Sequence, residues 1–213
     1  MTKPKIIPTL LVKNSRELKR KVSKLGSLFS LAQLDIMDGQ FVKNKTLHDF
    51  QKINTLTKKL KLESHLMVRD PLSYVQELRK YPRIIRYIVH VETVNEKMFD
   101  ELYRLCCAER RELALAINPK SSIKKYHKLL SQVPRILIMG VIPGHSGRKL
   151  LTSTYARVRD LRALYPRATL SLDGGINQAN ATKLLALGIT NFNMSSYLYR
   201  SHDIAKSLKQ LFS

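Results

Sequence analysis

The chain has 213 residues, 44% of them hydrophobic, which suits one compact domain with a sizeable core. No apolar run reaches the roughly eighteen residues that cross a bilayer, the opening MTKPKIIPTLLVKN carries no small-residue cleavage site, and adjacent Cys106 and Cys107 cannot easily bridge, so a reduced, cytoplasmic protein without a membrane partner is expected. The formal net charge of +22 draws anions, but Lys and Arg are spread along the helical stretches and no zinc-finger spacing, RNA-recognition signature or basic tail accompanies them, which sets a nucleic-acid partner behind a small anionic one.

Apolar, β-branched runs alternate with longer amphipathic stretches, the pattern of βα units on a parallel sheet. Strands are expected at 5–12, 31–37, 62–68, 86–92, 112–118, 135–141, 168–174 and 190–195. The first helix spans 15–26, with Ser15 as its N-cap and Gly26 as its stop. Asp70-Pro71 opens another, with Pro in the first turn. Asn177 opens the seventh and Gly188 closes it. Eight strands, each followed by a helix, predict a closed (β/α)8 TIM barrel over 1–213, with an open doubly wound sheet as the alternative.

Chemistry gathers where those strands end, which is the active mouth of such a barrel. LDIMDG (34–39), HLMV (65–68), MGVIPGHSGR (139–148) and LDGG (172–175) each deliver an Asp, a His, a Met or a glycine turn there. Asp35 and Asp173 sit in otherwise apolar strand ends, where a carboxylate is costly to bury without a partner or a purpose. Facing each other, they can act as general base and general acid. The glycine turns Pro143-Gly144-His145-Ser146-Gly147 and Gly174-Gly175 offer backbone N–H groups to an anion, and a helix starting near Ser195-Ser196 adds its N-terminus. The layout predicts an enzyme that moves protons on a small phosphorylated molecule. His48, His127 and His202 are expected at the surface, and Cys106-Cys107 as packing. His90 and Glu92 border the site without an assigned chemical role.

At these residues the chain resembles the ribulose-phosphate 3-epimerases nearly end to end. LDIMDGQFVKN (34–44), HLMVRDP (65–71), HVE (90–92), AINP (116–119), the loop at 143–147 and LDGGIN (172–177) follow in that family's order. The resemblance implies ribulose 5-phosphate and xylulose 5-phosphate, or a close ketose phosphate, as substrates. Asp35 and Asp173 become the acid/base pair. Gln33, Asp35, His65 and Asp173 become the ligands of a divalent metal (Zn²⁺, Fe²⁺, Mn²⁺ or Mg²⁺), with Gln33 standing where the family has histidine. Thr9, His65, Met37, Met67 and Met139 surround the reacting carbons. Gly144, His145, Ser146, Gly147, Gly174, Gly175, Ser195 and Ser196 hold the phosphate. Ser146 and Ser195 replace family glycines and Ile142 an asparagine, and the family often assembles as homo-oligomers. These departures keep two rivals open. One is a related barrel acting on a six-carbon ketose phosphate; the other is a non-catalytic barrel that binds RNA or an anionic partner. A related decarboxylase is set aside, because DIMD lacks the lysine those enzymes place between their acidic residues.

Overall fold

The computed structural model describes residues 4–144 and 147–212. Eight parallel strands close in sequence order into a barrel: β1 Lys5–Leu10, β2 Leu31–Met37, β3 Lys61–Met67, β4 Ile84–His90, β5 Glu112–Ile117, β6 Arg135–Met139, β7 Thr169–Asp173 and β8 Asn191–Met194. β1 pairs with both β2 and β8, so no edge strand remains and the open-sheet alternative is excluded.

The expected and observed strands agree to within two residues at every start, and the differences lie mostly at the ends. After His90 the chain turns into a 3₁₀ segment, Val91–Thr93, so the fourth strand stops short. The first helix runs Ser15–Leu25, but its N-cap is Asn14 and not Ser15: the Asn14 side chain accepts from the Glu17 amide at 2.9 Å. Both residue types cap well, and Asn14 is the one with extended backbone. Gly26 ends that helix at φ +54, as expected. Asp70 caps the helix Pro71–Leu78, and Asn177 caps Gln178–Ala186 with a reciprocal box through Asn180. The crossover after β5 holds only a short helix, His127–Leu130, and a further helix, Ile204–Gln210, follows the brief Ser196–Arg200.

Alternation along the strands sorts side chains between two environments. Ala32, Leu34 and Ile36 of β2, Leu62 and Leu66 of β3, Leu170 and Leu172 of β7, and Phe192 of β8 join the large apolar core beneath the helices. Gln33, Asp35, Glu63, His65, Ser171, Asp173 and Asn193 are left for the barrel interior. Ile88, Ala114, Ala116, Leu137 and Met139 form a separate apolar cluster. That apolar cluster fills the middle of the interior along β4–β6, with polar residues above and below it and along β2, β3, β7 and β8. At the lower end Arg86 pairs with Glu63 and Glu112, and Arg135 joins Glu112.

Candidate active site

A cleft of about 550 Å³, counting its open mouth, lies over the C-terminal strand ends. Its wall includes Thr9, Asp35, Met37, Met67, Met139, Gly144, Gly147, Asp173, Gly174, Gly175, Ser195 and Ser196. All of these were anticipated from the sequence. His145 and Ser146 lie outside the described residues. Gln33 and His65 are fully buried, beneath the cleft floor and absent from its wall.

Strand register explains the convergence. Asp35 of β2 lies beside His65 of β3, Met37 beside Met67, and Met139 of β6 beside Asp173 of β7. His65 Nδ1 reaches Asp35 Oδ1 at 3.2 Å and Asp173 Oδ2 at 3.5 Å. Burial raises the Asp35 carboxyl above its ordinary range, and nearby Asp173 adds to that against the hydrogen bond from His65. Burial alone would lower the His65 imidazole, but its hydrogen bonds to Asp173 and Asp35 prevail and push it up to about 9.

Beside His65, toward the end of β4, runs a buried relay. His65 Nε2 lies 2.9 Å from His90 Nε2, and His90 Nδ1 lies 3.2 Å from Glu92 Oε2. Burial and the charge of His65 push His90 down to about 4, despite Glu92. A neutral His90 donates to the carboxylate of Glu92 and accepts from His65, which leaves His65 Nδ1 facing the two aspartates. Glu92 in turn accepts from the Asn118 amide at 2.9 Å and from the Ser121 hydroxyl. The sequence places His90 and Glu92 at the fourth strand end and assigns them no chemistry. The available signal was a histidine closing an apolar run with an acid two residues on.

Asp35, His65 and Asp173 each offer a ligand atom, all within 4.8 Å of one another, the one such cluster among the described residues. One imidazole and two carboxylates suit a divalent cation of the zinc, iron or manganese type. Gln33, expected as a fourth ligand, is turned the other way. Its Oε1 accepts from Asn193 Nδ2 at 2.7 Å, while its Nε2 donates to Asp35 Oδ1 at 2.8 Å and to Asp173 Oδ2 at 2.6 Å. In this arrangement it presents hydrogens, not a lone pair, to the cluster.

The glycine turns are constrained by their surroundings. Gly174 and Gly175 have φ of +96 and +74, and a Cβ on Gly175 would run into the backbone of Leu150. Ser195, by contrast, has φ −114, so a serine there needs no rebuilding of the backbone. Ile142 stands 48% exposed beside the cleft.

A closed α/β barrel with paired carboxylates and glycine turns at its C-terminal mouth defines an enzyme of the phosphate-binding barrel type. The Ribulose-phosphate 3 epimerase family model matches residues 5–199, and the chain belongs to that family as an epimerase-like isomerase. The chain is 29% identical over 205 residues to the ribulose-phosphate 3-epimerase of Helicobacter pylori strain J99, covering 93% of this chain and 92% of that one. It is 30% identical over 178 residues to the cytoplasmic isoform from rice (Oryza sativa subsp. japonica), covering 81% and 77%. Among solved structures, the 3-hexulose-6-phosphate synthase of Salmonella typhimurium superposes with a TM-score of 0.74 at 12% identity, covering 98% of this chain and 96% of that one. That last likeness is one of fold. No helix among the described residues is long and apolar enough to cross a membrane.

Proposed function

We propose that the protein interconverts ribulose 5-phosphate and xylulose 5-phosphate, with Asp35 and Asp173 as the two proton carriers. The observation that carries this reading is the meeting of these carboxylates, 138 positions apart in sequence, on one cleft floor, joined through Gln33 Nε2 at 2.8 and 2.6 Å. One carboxylate removes the proton on the carbon beside the ketone, and the other returns one to the opposite face; their roles exchange with the direction of reaction.

The planar enediolate formed between these steps needs a dry, unreactive surround. Met37, Met67 and Met139 provide thioethers that exclude water and donate no proton. Thr9 Oγ1 and Asn193 Oδ1 are buried without a hydrogen-bond partner among the described residues, and both residues line the cleft; a polyhydroxylated substrate supplies the missing donors. Gly144, Gly147, Gly174 and Gly175, which line the cleft, receive the phosphate through backbone N–H groups. A divalent ion held by Asp35, His65 and Asp173 would supply Lewis-acid stabilisation to the enediolate oxygens.

The test is epimerisation of ribulose 5-phosphate in D₂O, followed by mass spectrometry. The wild type should incorporate one deuterium at C3 per turnover. Asp35→Asn and Asp173→Asn should each lose about 10²–10⁴-fold in rate with an unchanged melting profile. Wild-type rates in Asp173→Asn would sink the assignment. A second reading, a six-carbon ketose phosphate, is favoured by a groove that continues past Pro143 and Gly144 to Ile142, Phe41 and Val42. Running the same assay on six-carbon substrates separates the two.

A further inference from the structure

Gln33 is the one member of the expected metal shell whose side chain points its wrong end at the cluster, and the reason lies outside the cluster. Glu63, 1% exposed, offers only acceptors when ionised. Its Oε2 is engaged by Arg86 Nη1. Its Oε1 accepts from Asn193 Nδ2 at 2.6 Å. The second hydrogen of the same Asn193 nitrogen goes to Gln33 Oε1 at 2.7 Å. Asn193 therefore presents its nitrogen, not its oxygen, to Gln33, and Gln33 must answer with its own oxygen. Its nitrogen is left facing Asp35 and Asp173, at 2.8 and 2.6 Å, with one hydrogen for each carboxylate. The same nitrogen lies 3.4 Å from His65 Nδ1. Turning the amide over would set Gln33 Nε2 against Asn193 Nδ2 and Gln33 Oε1 against two carboxylates. Both are repulsive, so the orientation is fixed from below.

We propose that Gln33 is a metal antagonist built into the cluster: the relay Glu63–Asn193–Gln33 aims two N–H groups at the carboxylates a cation would bind and so lowers the chain's affinity for divalent metal. Two hydrogen bonds to ionised carboxylates are among the stronger neutral-donor contacts. They hold two like charges together in the absence of a cation, and an incoming ion must displace both while gaining only three protein ligands. The cluster then exchanges metal readily and favours hard ions that tolerate few protein donors and retain water. The inference concerns the carboxylate pair on which the proposed reaction rests, but its measurement needs neither substrate nor turnover.

The test is titration of the full chain with Mn²⁺ alone at neutral pH, read by the loss of the free-ion electron paramagnetic resonance signal. Gln33→Leu removes the donor and offers no ligand, so the two readings of Gln33 predict opposite signs. An antagonist predicts Mn²⁺ binding at least tenfold tighter than wild type; a ligand predicts weaker binding. Gln33→Met is closer in shape and equally unable to bind a hard cation, and it carries the test if the leucine variant does not fold. Glu63→Gln acts from a distance. Its new N–H₂ can donate to Asn193 Oδ1, which now lacks a partner, so Asn193 turns over, Gln33 follows, and an oxygen faces the cluster. Binding should tighten here too, by at least threefold, without any change in the shell itself. Unchanged or weaker binding in the folded Gln33 variants overturns the proposal. Tightening at Gln33 with none at Glu63 overturns the relay that orients it. Loss of epimerase activity with these shifts intact would count against the proposed reaction and leave the antagonist in place.

Discussion

Replacing Arg86 with methionine removes the charge that holds the lower barrel together while keeping most of the side chain's stem. Arg86 is 7% exposed and serves two carboxylates: it pairs with Glu63, and its Nε donates to Glu112 Oε1 at 2.6 Å. Removing one partner from a buried ion pair costs about 3–5 kcal/mol, because a desolvated charge is left behind. Part of that is spared here, since Asn193 still donates to Glu63 at 2.6 Å and Arg135 to Glu112 at 2.7 Å. The low end, about 3 kcal/mol, is therefore expected, and at roughly 2–4 °C per kcal/mol the melting temperature should fall by about 6–12 °C. The pH dependence has a definite sign. Burial would raise the Glu112 carboxyl, but hydrogen bonds from Arg86 and Arg135 outweigh it and hold it below its ordinary value of 4.5. A depressed carboxyl stabilises the fold above its unfolded pKa, and that stabilisation is lost as pH falls through the lower folded value. Without Arg86 the depression shrinks. The gap between wild type and Arg86→Met should then be widest near pH 7 and narrow below about pH 4. Urea unfolding at both pH values measures it. A loss under about 1 kcal/mol at pH 7, or an equal loss at both, would refute the reasoning.

Two further outcomes follow from the turns that shape the cleft. Gly175→Ala should cost at least about 2 kcal/mol and abolish phosphate-dependent substrate affinity, since φ is +74 and the new Cβ meets the Leu150 backbone; Gly26→Ala, at φ +54 with nothing within 4 Å, should cost only about 1–2 kcal/mol, so equal losses in thermal melts would count against the steric account. Asp38 ties the turn after β2 to the end of β3, accepting from the amides of Gln40 at 2.7 Å, Phe41 at 3.0 Å and Arg69 at 2.7 Å; Asp38→Asn sets an N–H₂ against one of these donors and should lose about 1–3 kcal/mol together with ordered register at Met37 and Met67, and a variant that melts like wild type would show that the turn holds without it.

The barrel, the two aspartates and the three methionines were legible because strand alternation exposes an exception. In LAQLDIM every second residue is apolar for the outer core, so Gln33, Asp35 and Met37 must face inward, and a carboxylate in that position demands a reason. The glycine turns were legible from spacing alone, and positive φ at Gly174 and Gly175 supports that reading. Hydrogen-bond direction was not legible. Whether Gln33 offers oxygen or nitrogen depends on Asn193, 160 positions later, and on Glu63, on the neighbouring strand. Which nitrogen His65 turns toward the aspartates likewise depends on His90 and Glu92. No pattern within one segment encodes such a choice. It becomes defined only when the strands close and each buried donor must find an acceptor.

That dependence gives the ion cluster at the base of the barrel a part in the chemistry at its mouth. Glu63 pairs with Arg86 and accepts from Asn193; this fixes Asn193, which fixes Gln33, which determines whether the carboxylates of Asp35 and Asp173 meet N–H groups or an oxygen. On the far side, Glu92 fixes His90, which fixes the nitrogen that His65 turns toward the same carboxylates. Two acceptor-only glutamates, neither of them lining the cleft, thus set the polarity of everything beneath it. The apolar cluster of Ile88, Ala114, Ala116, Leu137 and Met139 occupies the remaining interior and offers no competing donor. A change at Glu63 or Glu92 should therefore alter metal affinity and proton transfer before it alters the shape of the cleft, and a change among the apolar residues should do the reverse.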